Sequence, residues 1–248
     1  MTPAANIQDV LSPAEKETIH CNVLRVLGEI GMQIEHDGIL SRLADSGLPV
    51  DAGEQRVRFP AERVDALLAA CPKSDWSTRV PTVATNVGVY AGRYHVPGTT
   101  HLQEWTRETF EQYLRFAKAL PEVDAVELMG CPLRVPAAAE SLWERFFAWK
   151  CGVTPAGSLH PASASGPIHD LLQAYAEMTG QTLEDVFSGI CYMISPLRLA
   201  AAECEQFWFW HEKGLQVAIG TMPTAGTSTP VTLAGHTVMR LAETFALA

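Results

Sequence analysis

The chain has no Cys-x-x-Cys pair, no His-x-x-x-His spacing, no glycine-rich phosphate loop and no apolar run long enough to cross a membrane. Each absence removes a class of function. The six cysteines, at positions 21, 71, 131, 151, 191 and 204, stand singly inside apolar or element-like segments. That argues against a disulfide framework or structural zinc, and for buried, reduced thiols in a cytosolic protein. Without Gly-x-Gly-x-x-Gly or Gly-x-x-x-x-Gly-Lys-Ser/Thr, nucleotide binding through those loops is unsupported. Without Gly-x-Ser-x-Gly, so is a hydrolase elbow. No stretch approaches the ~20 apolar residues of a membrane span, and no basic-then-apolar start marks a secretory signal. Positive charge is scarce too. With 18 Lys and Arg against 28 Asp and Glu, the formal charge is −10, which disfavours nucleic acid and anionic lipid as partners. Internal repeats and low-complexity tracts are missing.

What remains is a chain with a core. In 248 residues, 47% are hydrophobic and 19% charged, so disorder is not indicated. The rhythm changes near residue 100. Ser12-Pro13-Ala14-Glu15 is a helix start with the residues of a capping box, and Ile19, Val23, Leu24, Val26, Leu27 and Ile30 then repeat on one face, with Gly31 as the stop. A second helix is expected over Asp37–Ser46, a short strand over Val57–Phe59, and a third helix after Pro60. Val87, Val89 and Tyr90 suggest a β-hairpin. Residues 1–100 read as a small α+β cap region.

Beyond that point helices and strands alternate. A helix from Thr106 carries Phe110, Tyr113, Leu114 and Phe116. Strands are expected at Ala125–Met129, Val153–Ala156, Phe187–Ile194 and Leu215–Ile219. Helices are expected over Ala137–Trp149, over Ile168–Met178, from Ser195-Pro196 to Lys213, and from Pro230 onward. The runs around Ile190 and Val217 are almost continuously apolar, as buried parallel strands are. The fold class is therefore α/β. Residues 101–248 read as a partial (β/α)8 TIM barrel of about four βα units, with an open doubly wound sheet as the alternative. A closed barrel needs ~250 residues by itself, so a truncated chain is the expectation, or a second half supplied by another polypeptide.

The richest segment is Gly220 to Gly235, where Pro, Gly, Thr and Ser cluster after an apolar strand and before a helix. Loops at the carboxyl ends of parallel strands are where ligands bind, although good turn chemistry alone accounts for such a composition. By position after strands, the candidate substrate-binding residues are Cys131, His160, Ser195, Thr221, Met222, Gly226 and Thr227. Each has a competing structural role. Cys131 suits packing, His160 suits loop hydrogen bonding, and Ser195 and Thr229 suit helix N-caps before proline. Phe207-Trp208-Phe209-Trp210 resembles an aromatic cage, but four consecutive helical residues face different directions. Glu127, inside a strand, is compatible with either face of the sheet.

Leu11-Ser12-Pro13 through Gly31, Val57-Arg58-Phe59-Pro60 and Ala70-Cys71-Pro72 resemble the opening of the trimethylamine:corrinoid methyltransferase family. Ile194-Ser195-Pro196-Leu197, the stretch Pro223 to Gly235 and Ala242-Glu243 follow in the same order. Gly226 to Gly235 is similar to that family's Gly-Ala-Thr-x-Pro-Val-Thr-Leu-Ala-Gly, with Ser228-Thr229 as variants. The resemblance covers the chain from about residue 11 on and implies its N-terminal half, since family members are nearly twice as long. It implies a TIM-barrel methyltransferase that moves a methyl group from a methylated or quaternary amine, such as trimethylamine or a betaine, to the cobalt of a separate corrinoid protein. No cofactor or metal would be bound directly; the corrinoid (cobalamin) would arrive on its partner, and a second copy or a complementing half is a further partner. Some members carry pyrrolysine in the half not represented here. The alternative is a non-catalytic split barrel acting as a binding or assembly subunit.

Overall fold

The computed structural model describes residues 10–72, 85–90, 93–129, 135–157 and 162–248. Helix α1 (Pro13–Arg25) opens on the expected capping box. Ser12 Oγ accepts from the Glu15 amide at 3.3 Å, and the Glu15 carboxylate accepts from the Ser12 amide at 2.8 Å. A π-helical turn (Val26–Ile30) continues it to Gly31, whose φ of 71° places it in the left-handed region. There a Cβ would collide with the Val57 carbonyl oxygen, so only glycine fits. Strand β1 (Met32–Ile34) follows, then α2 (Asp37–Asp45), capped by the His36 ring nitrogen, which accepts from the Ile39 amide at 3.1 Å. Strands β2 (Val50–Asp51) and β3 (Arg56–Val57) flank a turn in which Asp51 Oδ1 accepts from the amides of Gly53 and Glu54. Helix α3 (Ala61–Ala70) starts after Pro60.

Strands β4 (Asn86–Tyr90), β5 (Arg93–His95) and β6 (Leu102–Glu104) precede α4 (Arg107–Ala119), which Thr106 caps. Then come β7 (Ala125–Met129), α5 (Ala137–Lys150) and β8 (Pro155–Ala156). Helix α6 (Ser165–Thr179) ends at Gly180, left-handed at φ 68°, and the single-turn α7 (Leu183–Val186) leads into β9 (Ile190–Tyr192). Strand β10 (Arg198–Leu199), α8 (Ala201–Glu212), β11 (Ala218–Gly220) and α9 (Leu233–Leu247) complete the described chain. This is a mixed α/β protein, and among the described residues no sheet closes on itself.

Two compact units form. The first takes described residues within Met1–Thr82, with Tyr192–Cys204 and Ile219–Ala248. Its sheet runs β10-β1-β3-β2; β1 is parallel to β10 and antiparallel to β3. Val23 and Leu27, from α1 and the turn after it, pack with Met32, Leu40, Val57 and Val64. Met193, Leu199 and Ala242 join the same core, with Val238, Leu241 and Phe245 of α9 against it. Each fully buried aliphatic side chain contributes about 1.5–3 kcal/mol. Glu35 ties the strands to α8, accepting from Arg198 Nε at 2.7 Å and from the Ala201 amide at 3.2 Å.

The second unit takes described residues within Val83–Cys191, with Glu205–Ala218. Its parallel sheet, β4-β7-β8, lays Val87, Val126 and Leu128 on the side chains of Phe110, Leu114, Phe147 and Ala148 from α4 and α5. A second cluster gathers Ile168, Leu172, Trp210 and Leu215. Among the described residues, the strand expected in a hairpin around Val87–Tyr90 has no hairpin partner. Strand β4 is parallel to β7, because burial of Val87 beside Val126 outweighs any local turn, and the hairpin is β5–β6.

Two helix starts also differ from expectation. Pro196 does not open a helix; Ile194 and Arg198 exchange N–H···O bonds of 2.8 and 3.1 Å around a tight turn, and α8 begins only at Ala201. Pro230 does not open one either, because Thr232 is the N-cap, accepting from the Gly235 amide at 3.3 Å. Strands β9 and β11 form a two-stranded sheet, shorter than the apolar runs Phe187–Ile194 and Leu215–Ile219. The Ala218 amide donates to Gly189 and the Met193 amide to Gly220, so both strands run the same way.

Two outcomes follow for stability. Gly31→Ala will lower it by about 1–3 kcal/mol from the backbone conformation alone, with the collision adding more, as read by urea denaturation. The Arg198 hydrogen bond holds the Glu35 carboxyl below the usual carboxylate range. Stability from that pairing is complete above the ordinary carboxylate pKa and is lost as pH falls through the lowered one. An acid titration of Glu35→Gln will therefore show a shallower fall in melting temperature below that range than the parent chain.

Candidate functional site

The candidate residues of the first unit sit on the loops that leave β9 and β11 at their carboxyl ends. After β9 the chain turns through Ser195-Pro196-Leu197. Leu197 has a φ of 51°, a region that a leucine enters only when its surroundings hold it there. Glu243 on α9 does so. Its side chain is fully buried, and its two carboxylate oxygens accept from Ser195 Oγ at 2.8 Å and from the Leu197 amide at 3.1 Å. A buried carboxylate needs such donors, since leaving water unpaired would cost several kcal/mol. Ser195 is thus held by a carboxylate rather than serving as an N-cap.

The loop after β11 bonds mainly to itself. The Thr224 carbonyl accepts from the amides of Thr227, Ser228 and Thr229 at 3.0–3.2 Å, and the Gly226 amide donates to the Thr229 carbonyl at 2.8 Å. Ser228 Oγ accepts from the Thr224 amide at 2.9 Å. Gly226, at φ 80°, supplies the left-handed residue that this turn requires. Buried Thr229 does not cap a helix; its hydroxyl lies 2.7 Å from His236 Nδ1 and pins the loop to α9. A Cβ on Gly235 would lie 2.8 Å from Pro230 Cβ and 2.9 Å from Thr232 Oγ1, so glycine permits the close approach there. The product is a turn fixed from within. Gly226 and Thr227 are exposed, Thr221 is half-buried, and Met222 is 57% exposed. Val231 and Leu233 add exposed apolar side chains to the same segment, at 79% and 83%.

Ser195 and the Thr221–Thr227 candidates therefore lie in one compact unit, on loops leaving two paired strands. Cys131 and His160 lie outside the described residues. The residue that sequence reasoning missed is Glu243. Its signal was a lone carboxylate beside Ala242 on the otherwise apolar face of α9.

Other expectations resolve simply. Phe207-Trp208-Phe209-Trp210 is not a cage. Trp210 is fully buried, Phe207 stacks on His211 at 5.8 Å, and Phe209 lies under Lys213 Nζ at 5.7 Å. Cys191 and Cys204 are buried as expected, whereas Cys21 on α1 and Cys71, just past the end of α3, are exposed. Among the described residues no group of three His, Cys, Asp or Glu side chains gathers as a metal site. No helix among them is long and apolar enough to cross a membrane. In the second unit Arg145 is buried on α5, donates to the Ser188 carbonyl at 3.4 Å, and has its pKa pulled down to about 10 by burial.

The model of one protein family, trimethylamine methyltransferase (MTTB), matches residues 2–248. No curated protein matches the chain. The chain belongs to the trimethylamine methyltransferase family.

Replacing Glu243 strips two donors of their shared acceptor. Glu243→Ala will cost about 3 kcal/mol in chemical denaturation, at the scale of buried hydrogen bonds to a charged group. Glu243→Gln will cost less, because one amide oxygen still accepts. Equal stability of both variants and the parent chain would show that the carboxylate holds nothing.

Proposed function

We propose that this member of the trimethylamine methyltransferase family takes a methyl group from a methylated amine and passes it to a corrinoid presented by a separate protein. The family match over residues 2–248 carries the reading. Supporting it is the pair of tied loops at the carboxyl ends of β9 and β11, the position where parallel α/β folds bind ligands. In this reading residues 101–248 are the first part of a (β/α) barrel and residues 1–100 its cap region. The parallel pairing of β7 with β8 and the common sense of β9 and β11 favour a barrel-type arrangement of residues 101–248, to which β4 adds a strand from before residue 100.

The chemistry sets modest demands on the protein. The corrinoid, as the acceptor substrate, supplies a nucleophilic cobalt. The carbon–nitrogen bond breaks with its electron pair left on nitrogen. A quaternary amine such as a betaine then departs as a neutral tertiary amine and needs no proton, whereas trimethylamine must react as its protonated ammonium. The work left to the chain is orientation and exclusion of water. The rigid turn at Thr224–Thr229 suits that work, and Met222 offers a polarizable apolar contact for methyl groups. Ser195, oriented by Glu243, and Thr221, Gly226 and Thr227 are assigned to substrate binding, with Cys131 and His160 assigned by their places in the sequence.

The chain incubated with cob(I)alamin and either trimethylamine or glycine betaine will form methylcobalamin, followed by the change in its visible spectrum. Ser195→Ala will raise the amine KM several-fold while leaving the fold intact by circular dichroism. Absence of methyl transfer from every methylated amine offered would overturn the proposal.

A further inference from the structure

Helices α4 and α5 of the second unit turn Phe110, Leu114, Phe147 and Ala148 toward the sheet. On α4, Arg107, Glu111 and Arg115 recur every four residues and so share one stripe. That stripe and Lys150 of α5 line a hollow of about 350 Å³. Glu111, mostly buried there, accepts from Arg107 Nε at 3.1 Å and from Lys150 Nζ at 3.2 Å, with Arg115 Nη2 at 3.8 Å. One carboxylate thus gathers three cations, and Glu108 is the only other carboxylate of the lining. Positive charge prevails at this spot on a chain whose formal total is −10. The cationic side chains stay open to water, Arg115 most of all at 69%. Arg107 meets Glu111 through Nε, which leaves the forked end of its guanidinium for a second carboxylate.

The same face shows aromatic rings. Trp143 and Phe146 on α5 are 41% and 46% exposed, and they pack edge to face at 5.9 Å. Trp143 also stacks on buried Phe147 at 5.6 Å, and the Arg107 guanidinium lies 4.9 Å from the centre of that ring. The rings and the cations therefore meet at Phe147. Tryptophan and arginine side by side are the residues that anchor protein interfaces, whereas isolated exposed apolar residues carry no such meaning. Charge decides what sits on them. Two-fold pairing of this face with itself would set three cations against three cations. Pairing with another region of a second copy would be head-to-tail, which leads to rings or filaments rather than a pair. A different protein with an acidic face meets neither obstacle.

We infer that the outer face of α4 and α5 docks the acidic face of a different protein. A partner carboxylate enters the hollow toward Arg107, Arg115 and Lys150, and an apolar partner side chain covers Trp143 and Phe146. The surface lies wholly within the second unit and is independent of the methyl-transfer reading.

A fluorescently labelled synthetic helix with glutamates beside a leucine stripe, and its counterpart with lysines for the glutamates, probe the surface in anisotropy titrations with the full chain. The glutamate helix will bind and the lysine helix will not, and rising salt will weaken the binding. Arg115→Glu will weaken it by roughly tenfold or more at an unchanged melting temperature, since exposed ion pairs add little to stability. Phe146→Ser, which keeps every cation, will weaken it as well. Equal binding of the two helices, binding of neither, or unchanged affinity in either variant overturns the inference. Displacement of the bound helix by free glutarate also overturns it, by making the hollow a small-anion site. So does a self-associated chain in sedimentation velocity that Phe146→Ser turns into a monomer, because a second copy is then the occupant.

Discussion

The first unit depends on one buried carboxylate. Glu243 is the only anion reaching the Ser195–Leu197 turn among the hydrogen bonds of the described residues, and both of its oxygens are engaged there. Through it α9 is joined to the segment that supplies β10, and β10 in turn is the parallel neighbour of β1. The strained leucine, the oriented serine and the seat of α9 are therefore consequences of the same two hydrogen bonds. Apolar contacts around Ala242 and Phe245 supply the bulk of the attraction, but they would tolerate sliding by a turn. Two directional bonds to a charged group do not.

The same economy governs the loop after β11. Hydrogen bonds inside Thr224–Thr229, and the Thr229–His236 contact, hold its shape without help from a larger scaffold. A loop built this way has its own hydrogen bonds to hold its hydroxyls and its methionine in place. Pre-organisation of that kind matters where the reacting group is a methyl carbon with no handle of its own, and geometry must do what acid–base residues do elsewhere.

Legibility from the sequence followed the range of the interactions involved. The capping box at Ser12 and Glu15, the stop at Gly31 and the helix over Asp37–Asp45 are local, and all were readable. The starts predicted at Pro196 and Pro230 failed, because the Ser195 and Thr229 hydroxyls are captured by Glu243 and His236, partners 48 and 7 residues away. Nothing in the flanking residues announces such a capture. The Val87–Tyr90 strand was visible, but its partner was not, since parallel pairing to β7 is decided by a shared apolar face. For the candidate site, the loop composition marked the right segments, whereas Glu243 required knowing which face of α9 turns inward.

The division of the chain between its two units has a consequence for biosynthesis. The first unit draws its sheet from Met32–Val57 and from Arg198–Leu199, with the Val83–Cys191 segment of the second unit between them. As the ribosome delivers the chain, the α1–α3 segment emerges long before the strand and the helix that cover its core. Its apolar side chains stay partly uncovered until α9 emerges. The core of the first unit is thus closed only after the residues of the second have been delivered.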